Sequence, residues 1–334
     1  MFFADHEFEG QADSFYFGGG TPSIVPEEHL GAILEMCCKH FTLSSDCEIS
    51  LEANPGSLTS AKVDAYRRMG VNRISVGAQC FDDLGLASIG RDHTAAQIEE
   101  SLALLADHRF QNVNLDLMLG LPGQTRQSWI MDLEKGVALA PSHVSVYMLD
   151  LDPQAPLFHH VAKGNVRLPE DDLEAEAYLS TLDFMAAHDY VQYEISNFAR
   201  PGLRCRHNLK YWLRQPVLAF GVGSHSYDGH SRYANYSNLN TYLKAVEAGS
   251  SPVEWGRPVA KLQALQETLF LSLRLNQGLD WADVTREFDG EMVATYECHL
   301  RRMSDEGLTV WNGSRVCLTP RGMLLSNEVF QNFV

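Results

Sequence analysis

Four polar side chains stand at or beside the ends of short apolar runs. They are Glu52 in LEANPGS, Gln79 in ISVGAQCF, Arg91 in SIGRDHT and Asp116 in VNLDLMLGLPGQT. A carboxylate such as Asp116, with leucine on both sides, must be paired or hydrogen-bonded wherever it is buried. Arg91 is one candidate partner; alternatively Asp116 and Arg91 take opposite ends of a zwitterionic ligand. Together the four supply enough donors and acceptors to surround one small polar molecule. A glycine run precedes them: Phe15-Tyr16-Phe17 breaks into Gly18-Gly19-Gly20-Thr21-Pro22. Three glycines weaken a strand, so the run is either a tight strand-to-helix turn or a close approach of bare backbone to a ligand, with Thr21 adding a hydroxyl. It lacks the Gly-Lys-Ser/Thr ending of a phosphate loop. Pro22 and Pro26 replace the immediate helix of a dinucleotide fingerprint.

A second cluster of chemistry-bearing residues is CRHNLKYW, from Cys205 to Trp212. His207 and Tyr211 fall one helical turn apart, as many surface pairs do. His225 on the loop GVGSHSY and the pair His159-His160 read as exposed histidines. The seven cysteines, 37, 38, 47, 80, 205, 298 and 317, form no disulfide framework and read as reduced thiols of a cytoplasmic protein.

The elements that position these residues alternate. Apolar β-type runs at 15–17, 48–52, 73–76, 113–119, 143–149 and 191–195 are separated by helical patterns at 27–41, 60–69, 95–108, 126–139 and 170–188. Such alternation predicts parallel βαβ units with helices outside, a fold in which function collects at the carboxyl ends of strands. Residues 216–257 read as a connecting loop region. From 258, helical segments at 260–275, 281–287 and 292–306 precede two short runs flanking Asn312-Gly313, a hairpin signal. Three domains follow: a partial barrel over 1–215, the connection over 216–257, and a winged-helix-like α+β domain over 258–334.

With 43 acidic against 26 basic residues the net charge is −17, which repels polyanions and argues against nucleic acid as a partner. No apolar run reaches the length of a membrane span, so stable membrane insertion is not expected, and no secretory leader is visible.

Taken in order, GGGTPS, EANP, GAQCF, GRDHT, DLMLGLPGQT, YEISNFA and CRHNLKYW resemble the motifs of the oxygen-independent coproporphyrinogen III oxidase-like radical S-adenosylmethionine (SAM) family. The resemblance is strongest to its haem-chaperone branch and runs from about Phe15 to Val334. It implies an α/β, TIM-like (β/α)6 radical SAM barrel. It also implies SAM held by Gly19, Gly20, Thr21, Glu52, Gln79, Arg91 and Asp116, some of which could serve a second SAM. His-Asn-x2-Tyr-Trp resembles the branch's haem motif. That implies His207 as ligand to haem iron beside the flat surfaces of Tyr211 and Trp212, with Cys205 as an alternative ligand. Haem and haem-accepting proteins are the partners the resemblance implies; an anaerobic coproporphyrinogen oxidoreductase and a non-catalytic binding protein are the other readings.

The seven cysteines nowhere reproduce the family's Cys-x3-Cys-x2-Cys, whose thiolates ligate a [4Fe–4S] cluster. The first barrel strand and cluster loop are thus expected to be missing, either because the chain is a fragment or alternative-start form or because its lineage has lost the cluster. Radical catalysis is then not expected of this chain. A missing first strand would also leave 15–17 as an apolar edge prone to pairing with another chain, a homodimer included.

Overall fold

The computed structural model describes residues 11–333, which fall into two compact units that divide after Arg204. The first, Gln11–Arg204, holds strands β1 (Gln11–Phe17), β2 (Thr42–Ala53), β3 (Arg73–Gln79), β4 (Asn112–Leu119), β5 (His143–Met148), β6 (Val191–Glu194) and β7 (Asn197–Ala199). Its helices are α1 (Glu27–His40), α2 (Ser60–Arg68), α3 (Asp83–Ser88), α4 (Ala95–Asp107), α5 (Arg126–Ala138), α6 (Pro156–Ala162) and α7 (Asp171–Ala187). The strands form one sheet in the order β1-β2-β3-β4-β5-β7-β6, with β1 to β5 parallel. The expected partial barrel is present as an open sheet. Its last run is not a single strand, because residues 191–199 turn back as an antiparallel β6–β7 hairpin that places β7 beside β5. Among the described residues β1 pairs only with β2. The strand and cluster loop expected to be missing before it concern positions outside the described residues.

The sheet has two chemically opposite faces. Leu51, Ile74, Val76, Ala78, Leu115, Leu117, Val144 and Val146 are buried, and they alternate along their strands with polar residues that point the other way. Helices cover the apolar face. Gly136 of α5 shows how closely: a Cβ there would lie 3.1 Å from Leu115 Cδ2 and 3.4 Å from Leu117 Cδ1. Helix α5 is tied to α7 by Trp129 Nε1 donating to Thr181 Oγ1 at 2.9 Å. Thr94 and Thr125 open α4 and α5 with capping boxes, each worth about 1 kcal/mol.

The second unit begins with α8 (Arg206–Trp212). Residues 216–257, read above as a connecting loop region, instead contain β8 (His225–Tyr227), β9 (Ser231–Asn235), α9 (Leu239–Glu247) and β10 (Val253–Pro258). The three strands form an antiparallel sheet in the order β10-β9-β8. Helix α10 (Lys261–Leu273), β11 (Leu279–Asp280), α11 (Trp281–Glu287), α12 (Gly290–Asp305), β12 (Thr309–Asn312) and β13 (Arg315–Leu318) follow in winged-helix order, and α13 (Pro320–Leu324) and α14 (Ser326–Phe330) close the chain. Asn312 pairs with Arg315, so the hairpin turn is Gly313-Ser314, one residue later than Asn312-Gly313. Gly313 takes the φ of +65° that such a turn requires.

Glu267 of α10 anchors this unit's antiparallel sheet. Arg232 donates to both of its oxygens, Nε to Oε1 at 2.9 Å and Nη2 to Oε2 at 2.7 Å, and Arg214 Nε lies 3.6 Å from Oε2. Both guanidinium groups also lie over the Tyr227 ring. A buried carboxylate with two cations at hand has its charge compensated within the protein.

Candidate functional site

The polar face of the first unit's sheet is organised by register. Glu52, Ser75, Asn114 and His143 are directly opposite one another across β2 to β5, a single row over four strands. A neighbouring row runs Tyr16, Ser50, Arg73, Asn112, and Asp116 sits opposite Ser145. The period-2 pattern of NVNLDLML and HVSVYM thus delivers every second residue to one polar surface.

Glu52 accepts a hydrogen bond from the Tyr16 hydroxyl at 2.8 Å and another from the Gly19 amide. Burial pushes its carboxyl pKa up, and Asp116 adds to the rise; Tyr16, Gly19 and Arg73 oppose it. The Tyr16 phenol is in turn pushed well above its ordinary range by burial and by Glu52. This pair explains the first glycine of the run. A Cβ on Gly18 would stand 2.7 Å from Tyr16 Cε1 and 3.0 Å from Glu52 Oε1. Gly19 adopts φ +81°, and among the described residues, chain neighbours aside, neither Gly19 nor Gly20 has an atom within 4 Å of where a Cβ would be. Among the described residues, side chains therefore approach Gly18 and leave the space beside Gly19 and Gly20 open. Thr21 opens the short 3-10 turn Pro22–Ile24 without using its hydroxyl as a cap.

Asp116 is held by neutral donors. Asn114 Nδ2 donates to Oδ1 at 2.7 Å and Ser75 Oγ to Oδ2 at 3.1 Å, with Ser145 adding a third bond. Burial raises its pKa, against those three hydrogen bonds and the Arg73 charge. Arg91, offered above as its partner, is exposed, and its amide bonds Leu86 O at 3.0 Å. The cation that acts on Asp116, Glu52 and Tyr16 is Arg73, a β3 side chain only 2% exposed. A basic residue opening the apolar run RISV was the available signal for it.

Gln79 ends β3 at φ +70°, a left-handed conformation that a non-glycine residue adopts at a cost of about 1–2 kcal/mol. Its surroundings impose the turn. Cys80 N and His93 Nε2 both bond Ala78 O, at 2.9 and 3.3 Å, and Asp132 Oδ1 accepts from Phe81 N at 2.7 Å. Burial pushes Asp132 up to about 6 against that hydrogen bond and one from Gln124. Gly77 leaves room for the Gln79 amide, whose Nε2 would be 3.2 Å from any Cβ there.

The motif loops are stitched together by short polar side chains. Ser23 Oγ lies 2.6 Å from Ser57 Oγ and accepts from Asn54 N at 3.0 Å, while Asn54 Nδ2 donates to Asp92 Oδ1 at 3.1 Å. GGGTPS, EANPGS and GRDHT are joined in this way. In GLPGQT, Gln124 Oε1 accepts from the Gly120 amide at 2.8 Å and Nε2 donates to Met118 O at 3.3 Å.

In the second unit, α8 carries His207 and Tyr211 in contact, Nε2 to hydroxyl 3.2 Å with the rings edge-on at 5.4 Å. His207 is half-buried and Tyr211 exposed. Trp212 is half-buried, with the Arg274 guanidinium 4.4 Å from its ring centroid. Cys205, the alternative ligand, is fully buried at the start of α8.

Residues 3–135 match the radical SAM superfamily, and residues 259–325 match the HemN C-terminal domain. The haem chaperone HemW of Bacillus subtilis (strain 168) is 34% identical over 328 residues, covering 97% of this chain and 86% of the relative. This chain belongs to the HemW family of radical SAM proteins. HemW of Lactococcus lactis is 32% identical over 321 residues, 96% of this chain and 84% of that protein. The solved coproporphyrinogen III oxidase HemN of Escherichia coli has the same fold, with a TM-score of 0.82 over 96% of this chain and 77% of HemN at 22% identity.

The HemW family implies SAM and a [4Fe–4S] cluster. The donor set of the polar face fits SAM: two carboxylates with unused lone pairs, an amide, and bare backbone at Gly19 and Gly20. It does not fit the cluster. Among the described residues no three His, Cys, Asp or Glu side chains come together to hold a metal. No helix among those residues is long and apolar enough to cross a membrane.

Proposed function

We propose that this HemW-family chain binds SAM on the polar face of its first unit, binds haem through His207 of its second, and passes the haem to an acceptor protein. The observation that carries the proposal is the row of polar side chains opening beside Gly19 and Gly20. Its carboxylates are held by neutral donors and keep capacity for a ligand that donates hydrogen bonds or carries positive charge. Glu52 and Asp116 are the principal contacts, with Gln79 in its imposed turn and Thr21 with its free-standing hydroxyl beside them. Arg91 is left as a contact for the ligand's carboxylate. At His207, a neutral imidazole supplies a lone pair to haem iron, and the Tyr211 ring offers apolar surface to the macrocycle. The relatives named haem chaperones support haem as cargo.

Haemin titration of the full chain tests the haem arm: a shifted Soret band is expected, lost in His207→Ala. An unchanged spectrum and affinity in that variant would remove His207 from the site. Calorimetry with SAM tests the other arm, where binding should be lost in Asp116→Ala. Iron and sulfide analysis after anaerobic reconstitution separates the oxidoreductase reading, which needs a stoichiometric four-iron cluster on this chain.

A further inference from the structure

His143 takes no part in the motifs discussed so far, yet it is 0% exposed and lies at the end of the polar row. Its Nδ1 is 2.6 Å from Asn114 Oδ1, and its Nε2 is 2.8 Å from the Tyr193 hydroxyl. The direction of these bonds is fixed by the other end. Asn114 Nδ2 donates to Asp116 Oδ1 at 2.7 Å, so Asn114 presents its carbonyl oxygen to His143; the single Ser145 hydroxyl proton, with Oγ 3.1 Å from that carbonyl, is shared between it and Asp116. A carbonyl only accepts, so the imidazole proton sits on Nδ1. The Nε2 lone pair then accepts from Tyr193. The result is a one-directional chain: Tyr193 to His143, His143 to Asn114, Asn114 to Asp116.

Reversing the Asn114 amide would place its oxygen against the Asp116 carboxylate and its NH2 against the His143 N–H. The Asp116 carboxylate, which can only accept, excludes this arrangement, and the His143 Nδ1–H holds the carbonyl end of the amide from the other side.

We propose that His143 is a positioning residue: through Asn114 it fixes the Asp116 carboxylate in the orientation that meets the donor groups of a bound nucleoside sulfonium such as SAM. The inference rests on Asp116 being a ligand contact, as read above. It separates His143 from a merely space-filling core residue, because only the nitrogen at the Nδ1 position matters.

Two polar replacements and one measurement on the unaltered chain test it. In His143→Asn the side-chain NH2 reaches the Nδ1 position, and SAM affinity by calorimetry should stay within about threefold of wild type. In His143→Gln the amide reaches the Nε2 position instead; with the donor to Asn114 gone, affinity should fall about tenfold. Imidazole 15N NMR of the wild-type chain should show His143 as the Nδ1–H tautomer. An Nε2–H tautomer overturns the relay whether or not SAM is present. A wild-type chain that binds no SAM overturns the reading of Asp116 as a ligand contact. Wild-type binding with equal affinities for the two variants overturns this inference alone.

Discussion

Two kinds of carboxylate cluster occur in this protein. Glu267 in the second unit is 6% exposed and takes both donors of Arg232, with Arg214 close by. The guanidinium pKa of Arg232 is raised by that hydrogen bond. Glu52 and Asp116 in the first unit are held by a phenol, hydroxyls, an amide and a backbone N–H, with the single Arg73 charge shared between them. The first arrangement is closed: charge is neutralised by charge. The second is open, since neutral donors orient a carboxylate without cancelling its charge. What distinguishes the two clusters is the chemistry of their partners.

The contrast is most easily broken at its closed end. Glu267→Ala leaves two cations without their counter-charge and should destabilise the second unit by roughly 3–5 kcal/mol, measured by urea denaturation. A loss below about 1 kcal/mol would mean that Glu267 is no different from Glu52. Asp132 comes next. Its folded-state pKa of about 6 lies above the ordinary 3.8, so the folded protein holds the proton more tightly. That contribution is complete below pH 3.8 and is lost as pH rises through 6. Asp132→Asn should therefore flatten the pH dependence of stability over this window and raise stability at pH 7 by on the order of 1–3 kcal/mol. Unfolding free energies taken at intervals from pH 4 to 8 check the slope.

At the open end, Glu52→Gln should leave stability within about 1 kcal/mol while weakening SAM about tenfold. The direction of any stability change is set by the raised pKa: the variant gains relative to wild type as pH rises, because the buried charge is removed. The smallest effect is expected at Gln79. Glycine relieves the left-handed backbone and should add up to about 1 kcal/mol of stability, with SAM affinity reduced. Thermal melts and calorimetry on the same samples would show the two properties moving in opposite directions.

Asp116 stood out in the sequence because a carboxylate between leucines must be paired or hydrogen-bonded wherever it is buried. The alternation N-x-N-x-D and H-x-S-x-Y was equally visible, and it is what makes one face of the sheet polar. What no local pattern carried was register: that Asn114 lies opposite His143 and Ser75 depends on which strands become neighbours. For the same reason Arg91, near in the motif order, was offered as the partner of Asp116 when Arg73, from the adjacent strand, supplies the charge. The small sheet of 225–258 escaped because its strands are short and rich in Ser, Tyr and Asn, where turn residues mask the period. The one-turn spacing of His207 and Tyr211 could be read, but the stacking of Trp212 under Arg274 could not, since Arg274 lies 62 residues further on, in the turn after α10.

The tryptophans are divided very unevenly. Of the five, Trp129 alone belongs to the first unit, while Trp212, Trp255, Trp281 and Trp311 belong to the second. Intrinsic fluorescence is consequently an optical signal from the haem-motif unit, with Trp212 one residue beyond Tyr211. Haem absorbs where indole emits, so cargo at His207 would darken that signal. In a Trp129→Phe background the emission would come from one unit alone, and quenching would count occupancy without a label.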